Sequence, residues 1–108
     1  MHLLITGVED DRPRGSIGIE LRTHPAPHGE LGYWIAAEQR GSGLATRAAR
    51  LLAEWALSEL GVPRLEIHVS PKNEPSRRVA RGAGFEVESV RPLEFKGRLE
   101  DFEIYVRP

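Results

Sequence analysis

Two groups of residues in this 108-residue chain have types and spacings that could do chemistry. The first is Arg40-Gly41-Ser42-Gly43-Leu44-Ala45, which follows an alternating apolar stretch and opens a long helix-period one. Two glycines separated by one residue let the backbone approach a ligand with no Cβ in the way. The first amides of a helix lack internal acceptors, and the helix dipole adds positive character there. Such a turn suits a phosphate or pyrophosphate, and it is also what a plain tight turn before a helix looks like. No Gly-Lys-Ser/Thr follows, so it is not a Walker loop, and Thr46 stands where a dinucleotide fingerprint has its third glycine. The second group is Asn73 and Ser76, at the start of a shorter helical stretch. As local structure, Asn73 is a plausible helix cap and Ser76 a first-turn residue. His24 and His28 are four apart in a Pro-rich loop rather than on a helix, a poor basis for a metal pair. Arg77, Arg78 and Arg81 form a basic helix face of the kind that is usually solvated.

These residues need a scaffold, and the hydropathy pattern supplies one. Leu3, Leu4 and Ile5 begin an apolar run that ends in a polar turn. Ile17, Ile19 and Leu21 alternate with period two, as do Leu31, Tyr33 and Ile35. Trp34 and Ala36 make the latter stretch apolar on both faces, as in a central strand. From residue 42 to 60 the period changes: Leu44, Ala45, Ala48, Leu51, Leu52, Trp55, Ala56 and Leu60 recur every three or four residues. That predicts an amphipathic helix, stopped by Gly61 and Pro63. Leu65, Ile67 and Val69 mark a strand. Residues 75–83 read as a short helix with Pro near its start and Gly84 after its end. Residues 85–93 and 99–106 read as a hairpin around Lys96-Gly97. The order is β-β-β-α-β-α-β-β.

Composition is that of one ordinary globular domain over residues 1–108. Hydrophobic residues are 40% and charged residues 29%, and the net charge of −1 gives no electrostatic case for a nucleic acid or an anionic membrane. The absence of Cys excludes disulfides, thiolate metal sites and Cys nucleophiles. No apolar run is long enough to span a bilayer and the start lacks a basic n-region, so the expected compartment is the cytoplasm.

Gly32-Tyr33-Trp34-Ile35-Ala36 followed by Arg40-Gly41-Ser42-Gly43-Leu44-Ala45-Thr46 resembles motif A of the GCN5-related N-acetyltransferase (GNAT) superfamily. It is closest to the branch that includes the ribosomal-protein N-terminal acetyltransferases. Asn73-Glu74-Pro75-Ser76 with Gly84-Phe85 resembles the Asn-x-x-Ser helix of that branch. Glu38 departs from the pattern, standing where the family often has Gln or Arg. The resemblance implies an α/β fold with a mixed, mostly antiparallel sheet, without the N-terminal strand and two helices of the family. Its coenzyme-binding core would be residues 30–85, and the C-terminal hairpin residues 86–107.

The resemblance also implies acetyl-coenzyme A as donor and a primary amine, a peptide N-terminus or a small molecule, as acceptor. Backbone from Arg40 to Ala45 (Arg40, Gly41, Ser42, Gly43, Leu44, Ala45) would hold the pyrophosphate. The splayed ends Trp34-Ile35-Ala36 and His68-Val69-Ser70 would flank the pantetheine. Asn73 would hydrogen-bond the coenzyme, Ser76 would sit near the thiol, and Arg77 or Arg78 would reach the 3′-phosphate. An amine must lose a proton to attack, from a pKa near ~10.4 for a lysine-like ammonium or ~8 for an α-amine. Glu30, Glu66 and His68 are the base candidates, and imidazole as a group titrates near neutrality. The helix after Asn73 has no Tyr to serve as acid, and Tyr33 and Tyr105 lie elsewhere in the sequence. Ser76 is the substitute. The competing reading is a non-catalytic, coenzyme-binding or assembly module. Two crossovers running the same way put both helices on one face of the sheet. The apolar opposite face then predicts self-association as a two-fold homodimer.

Overall fold

A computed structural model describes residues 2–6, 13–23, 26–35 and 43–108, with no side-chain description at 2–6, 13–15 and 34–35. Strands β1 (His2–Thr6), β2 (Pro13–Arg22) and β3 (His28–Ile35) form an antiparallel meander. Helix α1 (Leu44–Trp55) continues into a π turn (Ala56–Leu60) and leads to β4 (Leu65–Val69). Helix α2 (Glu74–Gly82) leads to the hairpin β5 (Glu86–Phe95) and β6 (Arg98–Arg107). The spatial order is β1-β2-β3-β4-β6-β5, with β3 and β4 the parallel pair. The expected element order is the one observed.

The local signals have visible partners. Gly61 ends the π turn at φ 65°, in the left-handed region that glycine enters without strain. Asn73 Oδ1 accepts a hydrogen bond from the Ser76 amide at 3.1 Å, capping α2. At the other end the Phe85 amide reaches Ala80 O and the Gly84 amide reaches Arg81 O, both at 3.0 Å. That is a Schellman closure, and Phe85 is buried beneath it. Lys96 and Gly97 both have positive φ, the geometry of a tight two-residue hairpin turn.

The core lies between one face of the sheet and the two helices. Ile17, Ile19, Leu31, Leu65, Ile67, Val69 and Tyr105 come from the sheet, and Ala49, Leu52, Ala53, Ala56, Ala80 and Ala83 from the helical side. Small side chains dominate the helical half, so α1 and α2 can approach closely. Thr46 packs directly over Gly82, where a Cβ would fall 2.7 Å from its methyl, and Arg50 donates to Gly82 O. Both helices therefore share a face, as expected. The apolar stripe of α1 is not the expected one: Leu51, Trp55 and Leu60 are exposed. Ala49, Leu52, Ala53 and Ala56 define the buried side instead, in the core cluster with the sheet.

On the other face, β2, β3 and β4 present Ser16, Gly18, Glu20, Glu30, Gly32, Glu66 and His68, by alternation from the core positions. At these positions the face is polar rather than apolar. Ala36 lies outside the described residues, and Trp34 is described as backbone only. No described helix is long and apolar enough to cross a membrane.

Candidate active site

The parallel pair opens into a gap. β3 and β4 pair only through Gly29–Leu65, Glu30–Glu66 and Leu31–Ile67. Beyond that β3 runs on to Ile35 while still paired with β2, and β4 runs on to Val69 while still paired with β6. Each strand is held on its outer side and released on its inner one. The Trp34-Ile35 segment is on one bank, and His68 and Val69, followed by Ser70, are on the other.

Two helix starts belong to the connections leaving these strands. Gly43 precedes α1 at φ 81° and offers no side chain to cap its first turn, which begins Leu44-Ala45. A Cβ at Gly43 would be strained by that backbone angle and would meet Arg47 Nη1 at 3.2 Å. Ala36, Arg40, Gly41 and Ser42, and with them Glu38, lie outside the described residues. On α2, the amide nitrogen of the exposed Asn73 faces away from its own capping bond, which uses Oδ1. Capping and ligand contact are thus compatible in one side chain. Arg77 is engaged by Glu103 at 2.9 Å and Glu74 at 2.8 Å, whereas Arg78 is exposed.

Ser76 has an unexpected partner. Tyr33 Oη lies 2.8 Å from Ser76 Oγ and donates to Ser76 O at 3.1 Å. Tyr33 sits two residues past the last β3–β4 pair, so its ring bridges the gap to α2. As the sequence shows, α2 itself has no tyrosine, yet one reaches it from β3. A contact across 43 residues has no signature in local spacing. Burial raises the phenol above its ordinary 10.0, against the lowering effect of the Ser76 hydrogen bond, and Tyr105 adds to the rise.

The three base candidates form one cluster. The register places Glu30 beside Glu66, and His68 follows on the same face. His68 Nε2 lies 2.9 Å from Glu66 Oε1, and His68 Nδ1 lies 3.4 Å from Glu30 Oε1. Glu66 is almost wholly buried. Its Oε2 accepts from Arg64 Nε at 3.1 Å and Nη2 at 2.8 Å, and Arg91 Nη2 lies 3.6 Å from Oε1. Burial by itself would raise the Glu66 pKa, but His68, Arg64 and the nearby His28 outweigh it and hold the carboxyl below its ordinary 4.5. His28 belongs to β3 rather than to a loop. Its Nδ1 bonds Ala26 O at 2.8 Å and its Nε2 faces Glu66 at 3.7 Å. His24 lies outside the described residues, and no group of three candidate metal ligands was found among those described.

Glu30 also lines a hollow of about 240 Å³, together with Ser16, Gly18, Glu20, Leu31, Gly32 and Tyr33. Gly18 and Gly32 are paired across β2 and β3, so no side chain fills the space between Ser16 and the two carboxylates. Glu20 and Glu30 share the cation Arg22, at 2.6 and 3.5 Å.

Comparison with known proteins gives this geometry a family. An N-acetyltransferase of Bacillus subtilis (strain 168), named YjcK and described as probable, is 30% identical over 106 residues, covering 95% of this chain and 59% of the relative. The ribosomal-protein-S5-alanine acetyltransferase of Vibrio fischeri superposes with a TM-score of 0.87 at 22% identity, covering 98% of this chain and 60% of that one. Mycobacterium smegmatis RimJ in complex with CoA-disulfide superposes with a TM-score of 0.79 at 31% identity, covering 91% of this chain and 48% of that one. The chain thus spans roughly half to three-fifths of the length of these proteins. The model of the Acetyltransferase (GNAT) domain matches residues 1–86, and the chain belongs to that family.

Proposed function

We propose that this chain carries the donor-binding and acetyl-transfer core of an acetyl-CoA-dependent N-acetyltransferase acting on a primary amine. The observation that carries the reading is the gap beyond Leu31–Ile67. The uncapped start of α1 and the Tyr33–Ser76 bridge to α2 support it.

In this reading the backbone around Gly43-Leu44-Ala45 receives the pyrophosphate, with Asn73 Nδ2 donating to the arm in the gap. Backbone amides on the inner edge of β3 lack a β4 partner beyond Leu31 and are available to polarise the thioester oxygen. Glu30 meets the acceptor amine from the hollow and takes its proton, directly or through a water. His68 stands behind Glu30 and can share that proton with Glu66, since both ring nitrogens face a carboxylate. The amine nitrogen then bonds to the acetyl carbon and gives up its second proton to solvent, the carbon–sulfur bond breaks, and Ser76 Oγ donates a hydrogen bond to the departing thiolate. Of Arg77 and Arg78, the exposed Arg78 is the one left for the 3′-phosphate, since Arg77 is held by Glu74 and Glu103.

Calorimetric titration with acetyl-CoA, followed by thiol release in the presence of an Ala-initiated peptide or a diamine, tests the reading. Saturable binding with turnover of either amine is expected. Binding without turnover would favour the non-catalytic, coenzyme-binding alternative, and no binding would overturn both.

A further inference from the structure

Tyr33 has no role in the reaction as written above, yet it touches both sides of the site. Tyr33 is among the residues that line the hollow with Glu30 and Gly32, while its side chain packs against the core on the helical side, where its hydroxyl lies against Ser76 Oγ and Ser76 O at the start of α2. We propose that Tyr33 is a positioning residue that turns the Ser76 hydroxyl toward the coenzyme sulfur. The proposal rests on the coenzyme reading of the gap.

The argument is a count of protons. Tyr33 and Ser76 have one hydroxyl proton each, and the two oxygens are 2.8 Å apart. In one arrangement Tyr33 donates to Ser76 O and accepts from Ser76 Oγ, so the serine proton is committed. In the other Tyr33 donates to Ser76 Oγ, and the serine proton is released to a third acceptor. The phenol proton has a partner in both, so switching leaves no buried donor unpaired. An anionic sulfur is the stronger acceptor and draws the pair into the second arrangement. The phenol keeps its proton throughout, consistent with burial holding it above the ordinary tyrosine range. Tyr105 on β6 is a further titratable group acting on Tyr33, and it pushes in the same direction. Tyr33 therefore stabilises the thiolate through Ser76 without becoming ionised, and the sulfur takes its proton from solvent after leaving.

The test compares coenzyme A with desulfo-coenzyme A, which lacks the thiol, by calorimetry at about pH 7 and about pH 9.5, either side of a thiol pKa near ~8.5. In the parent, coenzyme A should gain about tenfold over desulfo-coenzyme A at the higher pH, the fold-change of one charge-assisted hydrogen bond. Tyr33→Phe should remove most of that gain while leaving desulfo-coenzyme A affinity unchanged. Ser76→Ala should remove the gain as well, and the double variant should lose no more than Ser76→Ala alone. Should Tyr33→Phe fail to fold, the proposal stands or falls on Ser76→Ala in the Tyr33 background: an undiminished gain there overturns it. A full gain in folded Tyr33→Phe, or no gain in a parent that binds desulfo-coenzyme A, also overturns this proposal and leaves the coenzyme reading standing. A parent that binds neither molecule overturns both.

Discussion

Replacing Glu66 by Gln probes the buried centre of the polar face. The carboxylate answers Arg64 through Oε2 and His68 through Oε1. Gln keeps one oxygen and puts an amide NH2 in place of the other. If the oxygen stays with Arg64, a donor faces His68 Nε2; if it turns to His68, a donor faces a guanidinium. The first arrangement gives up one charge-assisted bond, to His68, and the second gives up two, to Arg64; one such bond is worth about 1.5–3 kcal/mol. The Arg64 side chain is 33% exposed, so water repairs part of the loss and we take about 2 kcal/mol. For a domain of this size that is a Tm fall of about 8–16 °C, measurable by circular dichroism. The pH dependence has a definite sign. The folded pKa of Glu66 is depressed, so its contribution is complete above the ordinary value of 4.5 and is lost as pH falls through the lowered one. The gap in Tm between parent and variant should be at least as large at about pH 5 as at neutral pH and should close below about 4.5. A fall of under about 2 °C at neutral pH, or a gap that closes well above pH 5, would refute this account of the cluster.

Two further substitutions address the donor side. Gly43→Val places a β-branched residue at φ 81°, at about 1–2 kcal/mol of strain. It should reduce acetyl-CoA affinity more than tenfold in calorimetry while the chain stays folded, and unchanged affinity would remove Gly43 from the pyrophosphate site. Asn73→Ala should lose the α2 cap, about 1 kcal/mol in stability, and about 1 kcal/mol in coenzyme affinity. If only thermal stability falls, Asn73 is a cap and not a ligand.

How much of this was legible in the sequence depends on how local the cause is. Period-two runs at Ile17–Leu21 and Leu65–Val69, the helix period after Gly43, the Asn73 cap and the Gly84 stop all act over a few residues, and each has its counterpart in the fold. The buried side of α1 was harder to read, because Ala49, Ala53 and Ala56 lie in the core cluster while the more hydrophobic Leu51 and Trp55 are exposed. The insertion of β6 between β4 and β5 is a tertiary choice with no local marker. Glu30, Glu66 and His68 could each be named as candidates, but only the three-residue register of β3 on β4 makes them one unit. The Tyr33–Ser76 bond joins positions 43 residues apart, and the resemblance directed attention to tyrosines on the second helix, away from the strand that supplies one.

Amide chemical-shift mapping during a coenzyme A titration tests the central claim most directly, because it reports location as well as binding. The account predicts saturable shifts concentrated at Gly32 and Tyr33, at Gly43 to Ala45, at His68 to Ser70 and at Asn73 to Arg77. Little change is expected along the distal hairpin around Lys96-Gly97. Saturable shifts centred on that hairpin, or no shifts at all, would contradict the placement of the donor in the gap between β3 and β4.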